Sequence, residues 1–308
     1  MASRRVPIAA RSARVAFICP GLSPHSDCLK LLSSRRPRRF IAWRGRNAVR
    51  PARTAQTSRV APPGWQTASC MSVPITTGRE DMTTLQSTEL FAATRDGWHR
   101  LAEHVLAAAE YAETGEISLR PAAGGFETTH PLRGNTRLRV VNTELVVVDD
   151  AGVRTAPLTT VAEAAQFVGV EPGMPPTVYP PATPLEPDAA LHVDARCAQA
   201  LADWYELANA ALVRLTAELA AAPQEPILWP EHFDVGITIE AVNYGASPGD
   251  DHHALPYLYV GPHAGPPVRD EYWNMSFGAA RTVEEIASLD EAVAFFRAGH
   301  QRLSDGSA

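Results

Sequence analysis

Residues 137–152 have the sequence RLRVVNTELVVVDDAG, and this stretch decides the fold. Its segment Leu145–Val148 is short and rich in β-branched residues, which favours a strand over a helix. Gly134 and Asn135 precede the stretch and Asp149–Gly152 ends it, and both groups are typical of turns. The pattern predicts an antiparallel meander with strands at 116–120, 125–130, 137–141 and 144–149.

Helical patterns flank this meander. Apolar residues recur at i, i+3 and i+4 through residues 88–113 and again through a long helix that Asp194 caps. Thr160 and Glu163 form a capping box for a short helix that ends at Gly169.

The last third of the chain continues the same mixture of elements. Alternating apolar residues predict strands at 234–244 and 255–260, and capping boxes that begin at Thr282 and Ser288 predict helices near the end. Because the strands occur in hairpin-length pairs, the fold class is α+β, with antiparallel strands in hairpins and a meander packed against several helices.

The charges divide the chain into two parts. Residues 1–80 hold 15 Lys and Arg against 2 Asp and Glu, whereas residues 81–308 hold 13 against 32. Residues 1–81 are therefore predicted to be a disordered Arg/Pro/Ser-rich leader, since few apolar groups offset the chain entropy. A transit peptide, a basic nucleic-acid arm and translation from a wrongly assigned start codon, with Met71 or Met82 as the true start, are alternative explanations of this leader.

Residues 82–303 are predicted to form one domain with a Pro-rich connection at 171–188. Lys30 is the one lysine of the chain, so this domain has no lysine for Schiff-base or phosphate-loop chemistry, and its acidity disfavours nucleic-acid binding. Cys197 is its one cysteine, which suits a reducing cytoplasm. The apolar runs are too short for a membrane span.

Acidic residues and histidines occur in pairs with i, i+2 spacing. In an extended chain this spacing places both side chains on one face, where they can chelate a metal or orient a histidine as a base. If the later pairs converge, a divalent metal would be held by His232, Asp234, Asp250 and His252. The alternative is that no cofactor binds and that these side chains are solvated or bonded within turns.

Aromatic residues are concentrated between 229 and 277. Tyr and Trp combine an apolar body with a polar tip, which suits a binding pocket as well as an ordinary core. The candidate ligand-binding residues are Trp229, His232, Asp234, Tyr244, Asp250, His252, Tyr257, Tyr259 and His263. No catalytic residue is assigned.

The segments from Trp229 to Asp234, from Asn243 to Asp250 and from Tyr257 to Pro262 resemble a family of uncharacterised actinobacterial proteins. The resemblance covers about residues 85–303 and implies a bacterial cytoplasmic protein. It implies no activity and no site residue.

The sequence favours a non-catalytic domain that binds an unidentified small molecule or protein partner. A metal-assisted hydrolase that uses the His/Asp pairs is the first alternative, and a structural or oligomerisation module is the second. Whether the protein is an enzyme, and which oligomeric state it has, stay open at this point.

Overall fold

The computed structural model describes residues 89–222, 224–251 and 253–305. The predicted leader, residues 1–81, and the candidate ligand His252 lie outside these described residues. Within them, antiparallel strands form one sheet that packs against helices, so the predicted α+β class is confirmed.

The apolar repeat of residues 88–113 folds into successive helical stretches. They are α1 (Glu89–Leu101), a π-helical stretch (Ala102–Ala107) and α2 (Ala108–Thr114). Gly115 ends the last one in the left-handed conformation, which glycine adopts readily. All six residues of the π-helical stretch are buried, including Glu103 and His104. A π-helical turn often marks a functional position in a helix.

The remaining helices are α3 (Val161–Val168), α4 (Ala195–Glu218) and α5 (Leu289–Asp305). Thr160 caps α3 by accepting a hydrogen bond from the Glu163 amide, and Gly169 ends it. Within the described residues, every helix is too short or too polar to cross a lipid bilayer.

Ten strands form the sheet in the order β10-β9-β8-β7-β6-β1-β2-β3-β4-β5, and every neighbouring pair is antiparallel. The order corresponds to two five-stranded meanders that meet where Leu119 pairs with Leu228. The strands are β1 (Leu119–Ala122), β2 (Gly125–Thr128), β3 (Arg137–Val141), β4 (Glu144–Asp149), β5 (Gly152–Pro157), β6 (Ile227–Trp229), β7 (Asp234–Ile239), β8 (Val242–Ser247), β9 (Tyr257–Pro262) and β10 (Ala279–Thr282).

One strand prediction was wrong. Residues 234–244 are not a single strand but a hairpin, because Glu240 and Ala241 form a two-residue turn between β7 and β8. Both residues have positive φ, 50° and 62°, as the central positions of a type I′ turn require. Asn and Gly are the residues that normally indicate this turn, so Glu and Ala gave no sequence signal.

The capping box at Thr282 also forms, but it begins only a 3-10 turn, Val283–Glu285. The signal at Ser288 begins the long helix α5, where the Glu291 amide donates to the Ser288 hydroxyl. The first C-terminal helix prediction is therefore wrong and the second is confirmed.

The Pro-rich segment 171–188 folds back over the first helix. The amides of Ala182 and Thr183 donate to the carboxyl of Glu103 at 2.9 and 2.8 Å, and the Gly173 amide donates to the His104 carbonyl. Prolines remove backbone donors from this segment, and three of the remaining amides bond to the first helix as described.

Aromatic rings join the helices to the sheet at the centre of the core. Phe233 packs edge-to-face against Phe126 and Tyr205, with ring centroids 5.5 and 5.6 Å apart. Trp98 of α1 contacts Phe126 in the same way. These rings hold the start of β7 against α1 and α4, and thereby position the residues discussed below.

The cap of α4 provides a first test of the fold. The Asp194 carboxylate accepts hydrogen bonds from the amides of Arg196 and Cys197, which lower the pKa of Asp194. Asp194→Ala is expected to lower the free energy of unfolding by about 1 kcal/mol, the usual contribution of an N-cap. Chemical denaturation measures this loss. Because the folded-state pKa is depressed, the difference from wild type should disappear as pH falls through that pKa.

Glu206→Ala, at an exposed position of the same helix, is the matched control and should leave stability nearly unchanged. An equal loss in both variants would contradict the capping role.

Candidate functional site

The second meander, β6–β10, has two chemically different faces. Side chains that alternate along its strands, such as those of Val235, Tyr244 and Leu258, belong to the main core cluster. On the opposite face, Tyr257 and Tyr259 form a separate cluster with Ala280. The strand register places Asp234 on this second face too. Gly236 of β7 pairs with Gly245 of β8, and Gly245 pairs with Tyr259 of β9, so these three residues share one face. Asp234 is two positions from Gly236 along β7, and residues two apart in a strand lie on the same face.

A hydrogen bond crosses this second face from β9 to β7. The Tyr259 hydroxyl donates to Oδ2 of Asp234, and to reach it the phenol passes over Gly245 on the intervening strand β8. A Cβ atom at Gly245 would lie 2.4 Å from the Tyr259 hydroxyl oxygen and 2.6 Å from the Val235 carbonyl oxygen. Glycine at this position therefore makes the Tyr259–Asp234 contact possible.

A second tyrosine–aspartate pair lies beside the first. The Tyr257 hydroxyl donates to Oδ2 of Asp250 at 2.6 Å, and the amide of His253 donates to Oδ1 at 3.1 Å. The rings of Tyr257 and Tyr259 are 6.4 Å apart. Asp250 lies in the connection between β8 and β9, so this pair ties that connection to the end of the sheet.

The turn between β6 and β7 brings further titratable groups to the same end of the sheet. Phe233 occupies the left-handed region with φ of 54°, and its amide donates to the Trp229 carbonyl at 2.7 Å. His99 of α1 stacks on the Phe233 ring at 4.9 Å, and its Nε2 is 2.7 Å from the Pro230 carbonyl oxygen. These contacts hold the turn, including the half-buried Glu231 and His232, beneath α1.

Burial dominates the electrostatics of this cluster. Burial raises the pKa of Asp234, and the nearby Asp250 adds to the increase, whereas His232 and the Tyr259 hydrogen bond oppose it. Burial also raises the pKa of Glu231, to which Asp234 and Glu103 contribute as like charges. A negative charge on either residue is therefore costly until a positive group approaches it.

Two carboxyl oxygens in the cluster accept no hydrogen bond from any other described residue. They are Oδ1 of Asp234, a residue that is only 5% exposed, and Oε2 of Glu231. Buried polar atoms in folded proteins are hydrogen-bonded in the large majority of cases. These two acceptors are therefore suited to a group that donates hydrogen bonds.

The structure brings most of the predicted ligand-binding residues to one end of the second meander but places Tyr244 and His263 elsewhere. Trp229, His232, Asp234, Asp250, Tyr257 and Tyr259 lie at one end of the second meander or in the adjoining connections. Tyr244 lies on the core face instead and packs against Phe296, so strand alternation separates it from the cluster.

His263 follows β9 at the opposite end of these strands. Its Nε2 is 3.0 Å from the side-chain oxygen of Asn243, which also accepts from the Thr238 hydroxyl. Neither Tyr244 nor His263 therefore adjoins the Asp234 carboxyl.

The metal hypothesis named His232, Asp234, Asp250 and His252. Among the described residues, no group of three or more His, Cys, Asp or Glu side chains could hold a metal ion. His252 lies outside these residues, so the four-ligand set stays a prediction. Metal analysis of protein purified without an affinity tag tests it: protein that is metal-free and ignores added zinc or manganese would contradict it.

An exposed patch that includes Trp229, Tyr257 and Trp273, covered by a partner, would support the oligomerisation alternative. Tyr257 and Trp273 are each 1% exposed, and Trp229 is half-buried. The two buried rings therefore contribute no exposed surface in this chain.

Comparison with known proteins adds no further candidate. No family model, curated protein or solved structure matches this chain. The resemblance to an actinobacterial family stays a proposal.

The sequence analysis did not select His99 or Glu103. His99 contacts the turn between Trp229 and Asp234, and Glu103 contacts the Pro-rich segment. Nε2 of His99 lies 3.8 Å from the Glu103 carboxyl, on successive helical turns. The one sequence signal was an acidic residue within a strongly apolar helical repeat. That signal was weak because the π-helical stretch buries residues that a regular α-helical periodicity places off the apolar stripe.

Proposed function

We propose that this protein is a non-catalytic binding domain whose ligand is a small molecule with a protonated amine. The observation that carries the proposal is Oδ1 of Asp234, a buried acceptor to which no other described residue donates. Tyr259 already binds the other oxygen of this carboxyl and thereby holds it in position. A ligand ammonium group would supply both the missing donor and a compensating charge.

The surrounding charges favour a cation over a neutral donor. Glu231 and Asp250 lie near Asp234 as like charges, and Glu103 lies near Glu231 in the same way, whereas His232 opposes their effect on the pKa values. A charge-assisted hydrogen bond is roughly twice as strong as one between neutral groups. Glu231 is half-buried and Asp250 is exposed, so a ligand would reach Asp234 past these two residues.

Amine binding should depend on pH in a defined direction. The ionised form of Asp234 binds the cation, whereas burial favours its protonated form in the unliganded protein. Binding therefore lowers the pKa of Asp234 and releases a proton, and affinity should fall as pH decreases through the raised pKa. Calorimetric titration with putrescine or tyramine, in two buffers of different ionisation enthalpy, measures both the affinity and the released proton.

Asp234→Asn keeps the size of the side chain and an acceptor for Tyr259 but removes the charge. We expect roughly tenfold or greater loss of amine affinity, because a hydrogen bond to a charged group contributes about 1.5–3 kcal/mol. The proton release should disappear as well.

Asp149→Asn, in the other meander, is the matched control and should bind both amines as wild type does. Equal binding of 1,4-butanediol and putrescine would contradict the role of charge. Consumption of the amines during incubation would contradict a non-catalytic function.

A further inference from the structure

A groove lies where the two meanders separate, away from the Asp234 cluster. β1 and β6 pair at Leu119 and Leu228, and on the Ala122 side of this pair a cavity of about 440 Å³ lies next to α4. Asn209 and Val213 of α4 line it, and Val213 is 48% exposed. This volume is within the range of small-molecule sites, about 300–1,000 Å³.

Arginines form a charged wall of this groove. Arg120, Glu127 and Arg139 occupy directly opposed positions on the adjacent strands β1, β2 and β3. Nε of Arg120 donates to Oε1 of Glu127 at 2.8 Å, and Nε of Arg139 lies 2.8 Å from Oε2. The Glu127 side chain is 9% exposed, so the two guanidinium groups are anchored by a nearly buried carboxylate.

Each of these arginines keeps unused donors. In the part of the chain that the structure describes, Nη1 of Arg120 and Nη1 of Arg139 have no hydrogen-bond acceptor. A guanidinium presents its N–H groups in a planar fork that matches a carboxylate. Glu127 fixes Arg120 through hydrogen bonds and Arg139 through an ion pair without a hydrogen bond from Nε, so the Nη1 groups of both arginines are available to an anion.

The local charge balance defines the class of anion. A third arginine, Arg137, does not line the groove but lies 4.0 Å from Oε1 of Glu127, so three arginines lie near Glu127, and the groove lining adds one further carboxylate, Glu225. The surplus is one positive charge, which a monoanion would neutralise. Val213 and Pro226 provide apolar surface beside this charge.

We propose that this groove is a second binding site, which takes a small monocarboxylate with an apolar body. Arg120 and Arg139 would donate to the carboxylate, and the apolar body would contact Val213. The site is independent of the amine site proposed above, because none of the residues that line it belongs to the Asp234 cluster.

Saturation-transfer NMR and titration with sodium benzoate test this proposal. Benzoate should bind at least tenfold more tightly than benzyl alcohol, which has the same apolar body without the charge. Arg139→Gln should weaken benzoate binding at least tenfold, while Arg120 still pairs with Glu127. Arg154→Gln, on the exposed strand β5, is the matched control and should bind as wild type does.

A second variant keeps the test decisive if Arg139→Gln fails to fold. Val213→Glu introduces a carboxylate at an exposed position in the groove, and it should abolish benzoate binding with an unchanged circular dichroism spectrum. Absence of benzoate binding to wild type, or unchanged binding in a folded variant, would overturn the proposal. Inorganic phosphate that binds more tightly than benzoate would overturn the assignment to a monocarboxylate.

Discussion

Gly245→Ala is expected to lower the free energy of unfolding by about 4 kcal/mol. The added Cβ would lie 2.4 Å from the Tyr259 hydroxyl oxygen and 2.6 Å from the Val235 carbonyl oxygen, both closer than real Cβ contacts. Overpacking costs about 1–3 kcal/mol. The conflict would also displace the Tyr259 hydroxyl from Asp234, and a buried polar group that loses its hydrogen-bond partner costs about 1–3 kcal/mol. Denaturant titration followed by tryptophan fluorescence measures the loss.

Gly261→Ala is a closely matched control. Gly261 lies in β9, and the nearest atom to its added Cβ would be the Phe277 carbonyl oxygen at 3.8 Å, an ordinary contact. This variant should remain within about 1 kcal/mol of wild type, as a substitution without a steric conflict does. A similar loss of unfolding free energy in both variants would show that the strand propensity of glycine, and not the steric conflict with the Tyr259 side chain, determines the effect.

Glu103→Gln is expected to lower the free energy of unfolding by about 3 kcal/mol. Hydrogen bonds to charged groups contribute about 1.5–3 kcal/mol, and a buried donor without an acceptor costs about 1–3 kcal/mol. Both carboxyl oxygens of Glu103 accept hydrogen bonds, Oε1 from the Ala182 amide and Oε2 from the amide and hydroxyl of Thr183. The amide nitrogen of glutamine would face one of these donors. The Pro-rich segment should then detach from the first helix.

Hydrogen–deuterium exchange separates this local effect from a global one. The amides of Ala182 and Thr183 should exchange much faster in Glu103→Gln, whereas amides in the middle of α4 should change no more than the overall stability requires. Glu113→Gln, at a more exposed position ten residues later, should leave the segment protected. Unchanged protection of Ala182 in Glu103→Gln would show that other contacts hold the segment.

The prediction of the fold succeeded where the local signals were strong. Strands β3 and β4 occupy the predicted ranges 137–141 and 144–149, because β-branched residues alternate between two turns. The helix around 88–113 and the caps at Thr160 and Asp194 were also found, since each depends on residues close in sequence. Strands β5, β6 and β10 were missed, because they are short or exposed and their pairing partners stabilise them.

The candidate site was predicted in part for a related reason. Histidine, aspartate and tyrosine residues between 229 and 259 could be selected by their chemistry, and the structure brings Asp234 and Tyr259 into contact. Their contact depends on the order of β7, β8 and β9 and on a glycine between them, neither of which local periodicity encodes. Glu103 comes from a helix more than 120 residues earlier, so only tertiary packing relates it to Glu231.

The sequence by itself determined the α+β class, the meander around residues 137–149, the helix caps and the acidic, lysine-free composition of residues 81–308. These features follow from short-range periodicity, turn chemistry and charge. Only the tertiary structure decided that the two meanders join through β1 and β6, that Tyr244 faces the core, and that three arginines surround Glu127. Strand pairing and burial depend on residues distant in sequence, and their energies become favourable only when the sheet and its helices pack together.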